Sequence, residues 1–193
     1  MILDIKTGKK IADYTRYQLS AYTMLDSEEV DFYEDPHLYF NAEGESLPSV
    51  TQILKATGFL PDYSGISDYY RIRGSKVHAL TVYDDLNQID DKDIAEDLMP
   101  FIKAWRAFKS EYKWITEQAE ISMICTEYGY AGTIDRTGRF ADRTIEASRC
   151  AVLLQPNGEH KLEVFKKDDY DKNIWLKALK QFLMNTAKEI PFL

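Results

Sequence analysis

The sequence predicts an α/β (α+β) protein with a mixed central sheet of about five strands flanked by helices. Three observations support this fold class. Apolar residues recur at helical spacing in several segments before residue 113. From Thr116 onward the period of the apolar residues changes to two, which is typical of strands. An amphipathic segment over residues 171–188 then predicts a closing helix.

The first half of the chain is expected to alternate strands and helices. Helices are expected where apolar or aromatic residues recur every three or four positions. Ser49 can cap a helix that Gly58 ends, and Asp35-Pro36 is a turn pair between two short strands. In order, the predicted elements are a strand over 1–8, a helix over 12–25, strands within 30–40, and helices over 49–58, 68–86 and 93–112.

The second half is expected to be mostly strands, with a hairpin around Pro156-Asn-Gly158. In order, the predicted elements are strands over 119–126, 130–136, 150–155 and 161–165, and the helix over 171–188. The helix over 93–112 is expected to bury Leu98, Ile102, Trp105 and Phe108. The closing helix is expected to bury Ile174, Leu179, Phe182 and Leu183.

Composition excludes several classes of protein. The chain has 193 residues, 45% hydrophobic and 29% charged, as in a single globular domain. No apolar run approaches the roughly 20 residues that cross a bilayer, so we expect no membrane association and no secretory signal. The only cysteines, Cys125 and Cys150, indicate a reduced, cytoplasmic protein. The net charge of −8 argues against a nucleic-acid coat protein but not against a nuclease with metal-binding carboxylates.

The first eight residues hold a carboxylate and a lysine on one face of an apolar strand. Because side chains alternate along a strand, Asp4 and Lys6 share a face while Leu3 and Ile5 point to the other. A carboxylate beside an amine at a strand end can bind a divalent metal ion and position a water molecule near a phosphodiester. Such triplets also occur by chance, so this interpretation requires the rest of a metal site elsewhere in the chain.

Other short motifs supply candidates for the rest of that site. Asp135 ends the strand Gly132-Thr-Ile-Asp135, and His78 lies in a helix after a basic segment. Gln18 and Tyr22 are about one helical turn apart. Each has an ordinary structural explanation by itself: a strand end, a surface or core histidine, and helix packing. The basic residues before this histidine are candidate phosphate contacts or a solvated helix face: Arg71, Arg73 and Lys76.

Together, the Gly-x-x-x-His helix, the Gly-x-x-Asp strand, the Asp-x-Lys strand and the Gln-x-x-x-Tyr helix resemble the PD-(D/E)XK nuclease superfamily. They are similar to its RecB-family and phage-type exonuclease branch, as is the segment Leu47-Pro-Ser-Val-Thr-Gln-Ile-Leu54. The resemblance covers nearly the whole chain. It implies a restriction-endonuclease-like fold and a metal-dependent DNA exonuclease that hydrolyses phosphodiester bonds in phage or bacterial recombination or repair.

The resemblance also implies roles for individual residues. The implied catalytic residues are Asp135, Asp4, Lys6, Gln18 and Tyr22. The implied metal ligands are His78, Asp135, Asp4 and the Ile5 backbone carbonyl, with Glu120 as a secondary candidate. Lys6 beside two carboxylates would keep its proton and position the attacking water. The implied DNA contacts are Arg71, Arg73 and Lys76.

The expected cofactor is Mg²⁺ or Mn²⁺, because these hard ions favour carboxylate, carbonyl and water ligands. Two cysteines are too few for the iron–sulfur cluster that some related nucleases carry, so none is expected. The expected partner is DNA, as a duplex end or a single strand, together with a recombination protein. Processive members of the family can form rings, so an oligomer is consistent with the resemblance.

The order of the motifs departs from that of the family, in which the Asp-x-Lys strand and the Gln-x-x-x-Tyr helix follow the Gly-x-x-Asp strand. Placing residues 1–27 between Thr144 and Ile145 restores a spacing of about thirteen positions from Asp135 to Asp4. The transposition is natural, engineered or a matter of numbering. One nuclease-like domain is therefore expected, with three segments: 1–27 (strand and Gln-x-x-x-Tyr helix), 28–144 (hairpin, helices and Gly-x-x-Asp strand) and 145–193 (closing hairpin and helix).

Alternatives stay open at this point. Thr144-Ile-Glu146-Ala-Ser148 could be the metal-binding strand in linear order, with a serine where the family has lysine, and such a site would lack the ammonium group. The chain could also be a catalytically incomplete nuclease fold that binds DNA or a protein partner without cutting. An unrelated interaction domain with accidental motifs is the third interpretation.

Overall fold

The computed structural model describes residues 1–28, 30–33, 37–61, 65, 67–141, 149–166 and 169–189. Within them the strands are β1 (Ile2–Thr7), β2 (Asp31–Tyr33), β3 (Leu38–Phe40), β4 (Ser46–Leu47), β5 (Trp114–Cys125), β6 (Tyr130–Phe140), β7 (Arg149–Leu154) and β8 (His160–Phe165). The helices are α1 (Tyr14–Tyr22), α2 (Val50–Ala56), α3 (Asp68–Asp85), α4 (Met99–Tyr112) and α5 (Asp169–Glu189). The turn pair Asp35-Pro36 and the alternative strand around Glu146 lie outside the described residues.

β1 lies at the centre of the main sheet. The five strands are ordered β5-β6-β1-β7-β8, and β2, β3 and β4 form a separate three-stranded sheet. β1 pairs antiparallel with β6 and parallel with β7, from Ile2 opposite Arg149 to Thr7 opposite Leu154. The sheet is therefore mixed, which confirms the predicted fold class. It also places the N-terminal strand between β6 and β7.

The chain divides into two compact units, each assembled from separated segments. Unit 1 comprises Met1–Ala12, Tyr63–Glu120 and Asp135–Lys167. Unit 2 comprises Asp13–Asp62, Ile121–Ile134 and Asp168–Leu193. Unit 1 therefore holds β1, α3, α4, β7 and β8 with the first part of β5 and the second part of β6. Unit 2 holds α1, α2, α5, the small sheet and the remaining parts of β5 and β6.

The core of unit 1 packs α4 against one face of the sheet. Leu98, Ile102, Trp105 and Phe108 are all buried there, as the helical stripe predicts. α4 nevertheless begins at Met99, and a short 3-10 helix at Asp91–Asp93 precedes it. The expected start at residue 93 was wrong because Pro100 has no N–H to donate, which favours the first turn of a helix over its interior.

The core of unit 2 packs α1, α2 and α5 together. Trp175 of α5 is fully buried and meets the ring of Tyr130 edge-on at 5.0 Å. Asp171 is also buried, and its carboxylate pairs with the Arg16 guanidinium at 2.7 Å. The expectation that Leu183 faces inward was wrong, since it is 44% exposed. The buried stripe instead runs through Asp171, Trp175, Ala178 and Leu179, and Leu183 lies past its end.

Two predicted local signals are confirmed. Ser49 and Gln52 form a reciprocal cap at the start of α2, since each side chain accepts a hydrogen bond from the other's backbone N–H. The β7–β8 hairpin turns at Pro156-Asn-Gly158, where Gly158 has a left-handed φ of 85°. Among the helices that the structure describes, none combines the length and apolar character needed to cross a bilayer.

Candidate metal centre

Strand β1 presents Asp4 and Lys6 on one face and its apolar residues on the other. Leu3 and Ile5 are buried in the core of unit 1. The Lys6 ammonium nitrogen lies 2.9 Å from Asp4 Oδ2. The Asp4 side chain is only 3% exposed, whereas that of Lys6 is 22% exposed. The alternation predicted for this strand thus produces a buried ion pair whose cation still reaches solvent.

Asp135 joins this pair where the β1–β6 ladder ends. The backbone ladder between the two strands includes Leu3 opposite Arg136. At the next position of β6, the Asp135 side chain is the hydrogen-bond acceptor in place of a backbone carbonyl. Its Oδ2 accepts the Ile5 N–H at 2.7 Å. The carboxyl group of Asp135 is also near enough to that of Asp4 for its charge to raise the pKa of Asp4. The Asp135 side chain therefore satisfies a strand amide and places a second carboxyl group in the cluster.

Helix α3 brings His78 to the same place. A Cβ atom at Gly74 would lie 3.3 Å from the Thr7 hydroxyl oxygen, so the helix approaches the end of β1 closely at this residue. One turn later His78 lies on the same face of the helix. Its Nδ1 is 3.6 Å from Asp135 Oδ2. The Gly-x-x-x-His motif thus has a physical basis in this close helix–strand contact.

Glu120 enters from β5 through an unusual backbone geometry. Its φ of 50° is left-handed, a conformation that residues with side chains seldom adopt and that interrupts the alternation of a strand. Such strain is concentrated at functional sites in proteins. One ligand atom from each of His78, Glu120 and Asp135 lies within 4.8 Å of the other two. Two carboxylates with one imidazole form a donor set that suits Mn²⁺, and the carboxylates also suit Mg²⁺.

A buried arginine that the sequence analysis missed holds Glu120. Arg136 has no exposed surface, and its guanidinium donates to Glu120 Oε1 at 3.2 Å, to Asp85 Oδ2 at 2.9 Å and to the Thr81 hydroxyl at 2.8 Å. It is the neighbour of Asp135 and the strand partner of buried Leu3, so it faces the core. A charged residue at a core-facing strand position was the available signal.

Burial makes negative charge costly in this cluster. It raises the pKa of Asp4 to about 7, although the nearby Lys6 lowers it, and the charge of Asp135 raises it further. Burial likewise raises the pKa of Asp135 and of Glu120, and it lowers the pKa of His78. All four shifts disfavour the charged form of the group. A divalent cation would favour the carboxylate forms and the neutral imidazole that bind it.

The structure brings five of the predicted residues together in unit 1: Asp4, Lys6, His78, Glu120 and Asp135. Glu120, expected only as a secondary candidate, lies with His78 and Asp135 in the group of three ligand atoms. Asp4 pairs with Lys6, and its role as a metal ligand stays a prediction. For Ile5 the structure shows a role for the N–H, and the ligand role of its carbonyl stays a prediction.

The Gln-x-x-x-Tyr pair lies in unit 2. The Gln18 amide donates to the Tyr22 hydroxyl at 2.7 Å, which confirms that the two share one helix face. A Cβ at Gly132 would lie 2.8 Å from the Tyr22 ring. A residue with a side chain at position 132 would collide with this ring, which explains the glycine of the Gly-x-x-Asp strand. The catalytic roles of Gln18 and Tyr22 stay predictions.

The three predicted DNA contacts on α3 have different surroundings. Arg71 is exposed and pairs with Asp68 at 3.1 Å, and Lys76 is exposed. Arg73 is half-buried, with its guanidinium carbon 5.1 Å from the centre of the Phe101 ring. Only Arg71 and Lys76 therefore match a solvated helix face.

Compared with known proteins, the chain matches no protein-family model, no curated protein and no solved structure. The resemblance to the PD-(D/E)XK superfamily therefore depends on the motifs and on the geometry of the site alone.

Proposed function

We propose that this chain is a Mg²⁺- or Mn²⁺-dependent DNA exonuclease of the PD-(D/E)XK type, acting in the cytoplasm in recombination or repair. The proposal is carried by one observation: His78, Glu120 and Asp135 converge beside a buried Asp4–Lys6 pair. The ligand residues come from separate elements, α3, β5 and β6. Its substrate would be a duplex end or a single strand of DNA, and its partner a recombination protein or further copies of itself.

Different side chains of the protein would have different roles in phosphodiester hydrolysis. A bound Mg²⁺ or Mn²⁺ ion would supply charge neutralisation and an acidified water. His78, Glu120 and Asp135 would bind the ion, and Lys6, charged beside Asp4 and partly open to solvent, would orient the attacking water or stabilise charge on the phosphate. Arg136 would hold Glu120 in its binding orientation.

The test is digestion of end-labelled duplex and single-stranded DNA in Mg²⁺, Mn²⁺ or EDTA. We expect cutting with either ion and none in EDTA. Asp135→Asn keeps an oxygen for the Ile5 N–H but weakens ion binding, so it should lose activity while its circular dichroism stays unchanged. Asp93→Asn, an exposed acid in the same unit, is the matched control. Cutting in EDTA, or full activity of Asp135→Asn, would refute the proposal.

A binding module that does not cut is the second candidate, and one observation favours it. Glu120 is paired with Arg136 and Asp4 with Lys6, so part of the site's negative charge is compensated by the protein itself. Such a module would bind DNA or a protein partner in EDTA as well as in Mn²⁺, and it would release no labelled nucleotide. A shifted band of intact DNA in a gel-shift assay with Mn²⁺ present would support the binding module over the nuclease.

A further inference from the structure

A cavity of about 1080 Å³ lies at the end of β1 in unit 1. Thr7 and Lys9 line it from β1 and the residues that follow, Tyr70 and Arg73 from the start of α3, and Asn157 from the β7–β8 turn. Because β1 and β7 are parallel, the cavity lies at the carboxyl ends of adjacent parallel strands, where α/β proteins commonly bind ligands. Its volume lies just above the range of about 300–1,000 Å³ for small-molecule sites.

The charge of the lining differs in sign from that of the chain. Lys9 and Arg73 contribute two cations, and no carboxylate lines the cavity among the residues that the structure describes. The chain as a whole carries a net charge of −8. A cavity with this lining attracts an anionic group.

Arg73 is positioned by aromatic rings. Its guanidinium carbon lies 5.1 Å from the centres of the Tyr70 and Phe101 rings and 5.4 Å from that of Tyr69. Its buried Nε–H has no hydrogen-bond acceptor within the described ranges. The rings therefore pack against the side chain, and its guanidinium can donate to a ligand such as a phosphate.

Tyr70 adds an aromatic surface to this cationic lining. It is 56% exposed, so much of its ring is open to solvent. A nucleic-acid base stacks well on an exposed aromatic ring. The cavity thus combines a surface for a flat ring with donors for an anion.

The cavity and the candidate metal centre share two elements. Thr7 follows Lys6 directly on β1, and Arg73 precedes His78 by five residues on α3, about 7.5 Å along the helix. Thr7 is also where α3 approaches β1 at Gly74. The same strand and the same helix therefore contribute residues to both places.

We propose that this cavity binds the nucleotide next to the bond that is cut, with its phosphate between Lys9 and Arg73 and its base against Tyr70. The ligand class is the nucleoside monophosphate unit of a DNA strand. This proposal rests on the proposed function for the role of the nucleotide, but the binding itself does not require cutting. A bare phosphate site would need neither the volume of the cavity nor the exposed ring.

The experiment is calorimetric titration of the full chain with deoxyadenosine monophosphate in EDTA, and separately with inorganic phosphate. We expect saturable nucleotide binding that weakens about tenfold in Tyr70→Ala and in Lys9→Ala. Both side chains are exposed, so the variants should fold. Tyr83→Ala on α3 and Lys103→Ala on α4, exposed positions that do not line the cavity, are the matched controls and should bind as the wild type does.

Several outcomes would overturn the proposal. These are absence of saturable binding, equal affinity in the wild type and both cavity variants, or phosphate bound as tightly as the nucleotide. Digestion of labelled DNA in Mn²⁺ is measured on the same samples. Cutting without nucleotide binding refutes this inference and leaves the proposed function intact. Nucleotide binding without cutting supports the cavity as a nucleotide site and refutes the proposed function.

Discussion

Unit 1 contains two ionic clusters that differ in charge balance. The first, the α3–α4 cluster, consists of Asp84 and Asp85 with Arg106, Lys109 and Arg136. Asp84 meets Arg106 at 2.6 Å and Lys109 at 2.8 Å. Asp85 meets Lys109 at 2.8 Å and Arg136 at 2.9 Å. Each carboxylate thus has two cations, and the cluster links helix to helix and to β6.

The candidate metal centre has more carboxylates than cations. Asp4 is paired with Lys6, and Glu120 with the Arg136 that it shares with the α3–α4 cluster. Asp135 meets an amide and a histidine whose pKa is lowered by burial. The difference teaches that burial alone does not mark a functional site. A group of carboxylates that lacks enough cations is a candidate for one, because a metal ion can supply the missing charge.

The largest expected effect is on catalysis at the candidate metal centre. Lys6→Ala should abolish cutting, a loss of at least about 100-fold, because the ammonium that orients the water or stabilises the phosphate is removed. Metal binding should persist, since Lys6 is not a ligand. Single-turnover digestion and Mn²⁺ titration followed by thermal shift measure the two properties. Lys10→Ala, at an exposed position, is the control, and unchanged digestion by Lys6→Ala would remove Lys6 from the mechanism.

The α3–α4 cluster should instead determine stability. Asp85→Asn removes one of the two carboxylates that Lys109 and Arg136 each contact, and should lower the free energy of unfolding by about 3 kcal/mol. Asp135→Asn should change it much less, since the amide oxygen still accepts from Ile5. Urea unfolding of both variants in EDTA makes the comparison. Equal losses in the two variants would show that the clusters have the same role.

Asp4 of the candidate metal centre should also make the stability of the fold depend on pH. The pKa of Asp4 is about 7 in the folded chain, against an ordinary value of 3.8. Between about pH 4 and pH 7 the folded state therefore holds a proton that the unfolded state has released, so stability in EDTA falls as the pH rises. Asp4→Asn removes this dependence and should gain about 2–4 kcal/mol over the wild type at pH 8 but little at pH 4.

The control for this pH experiment is Asp93→Asn, an exposed position that should give parallel curves of stability against pH. A stability gain of Asp4→Asn that is the same at pH 4 and pH 8 would exclude proton release from Asp4 as its cause.

The smallest expected effect concerns the reactivity of the two buried cysteine thiols. Burial raises the pKa of Cys150 to about 12 and also raises that of Cys125. Neither thiol should react with a maleimide at pH 8 in the folded wild type. Labelling should appear in Asp85→Asn through its larger unfolded population. Rapid labelling of Cys150 in the wild type, identified by peptide mapping, would show that the core of unit 1 opens near β7.

Much of the fold could be predicted from local patterns. The alternation that places Asp4 and Lys6 on one face is a property of any strand, and it held because Leu3 and Ile5 needed burial. The stripe of α4 and the cap at Ser49 are equally local. In each case the residues that decide the structure lie within a few positions of one another.

The sequence by itself therefore determined which elements form and which faces they bury. The tertiary structure alone decided that Asp135 accepts the Ile5 N–H, that Arg136 joins Glu120 to Asp85, and that Leu183 stays exposed. The physical reason is the separation along the chain between the residues that interact. Periodicity describes the faces of one element, whereas Ile5 and Asp135 are 130 positions apart and meet only because strand register brings them together.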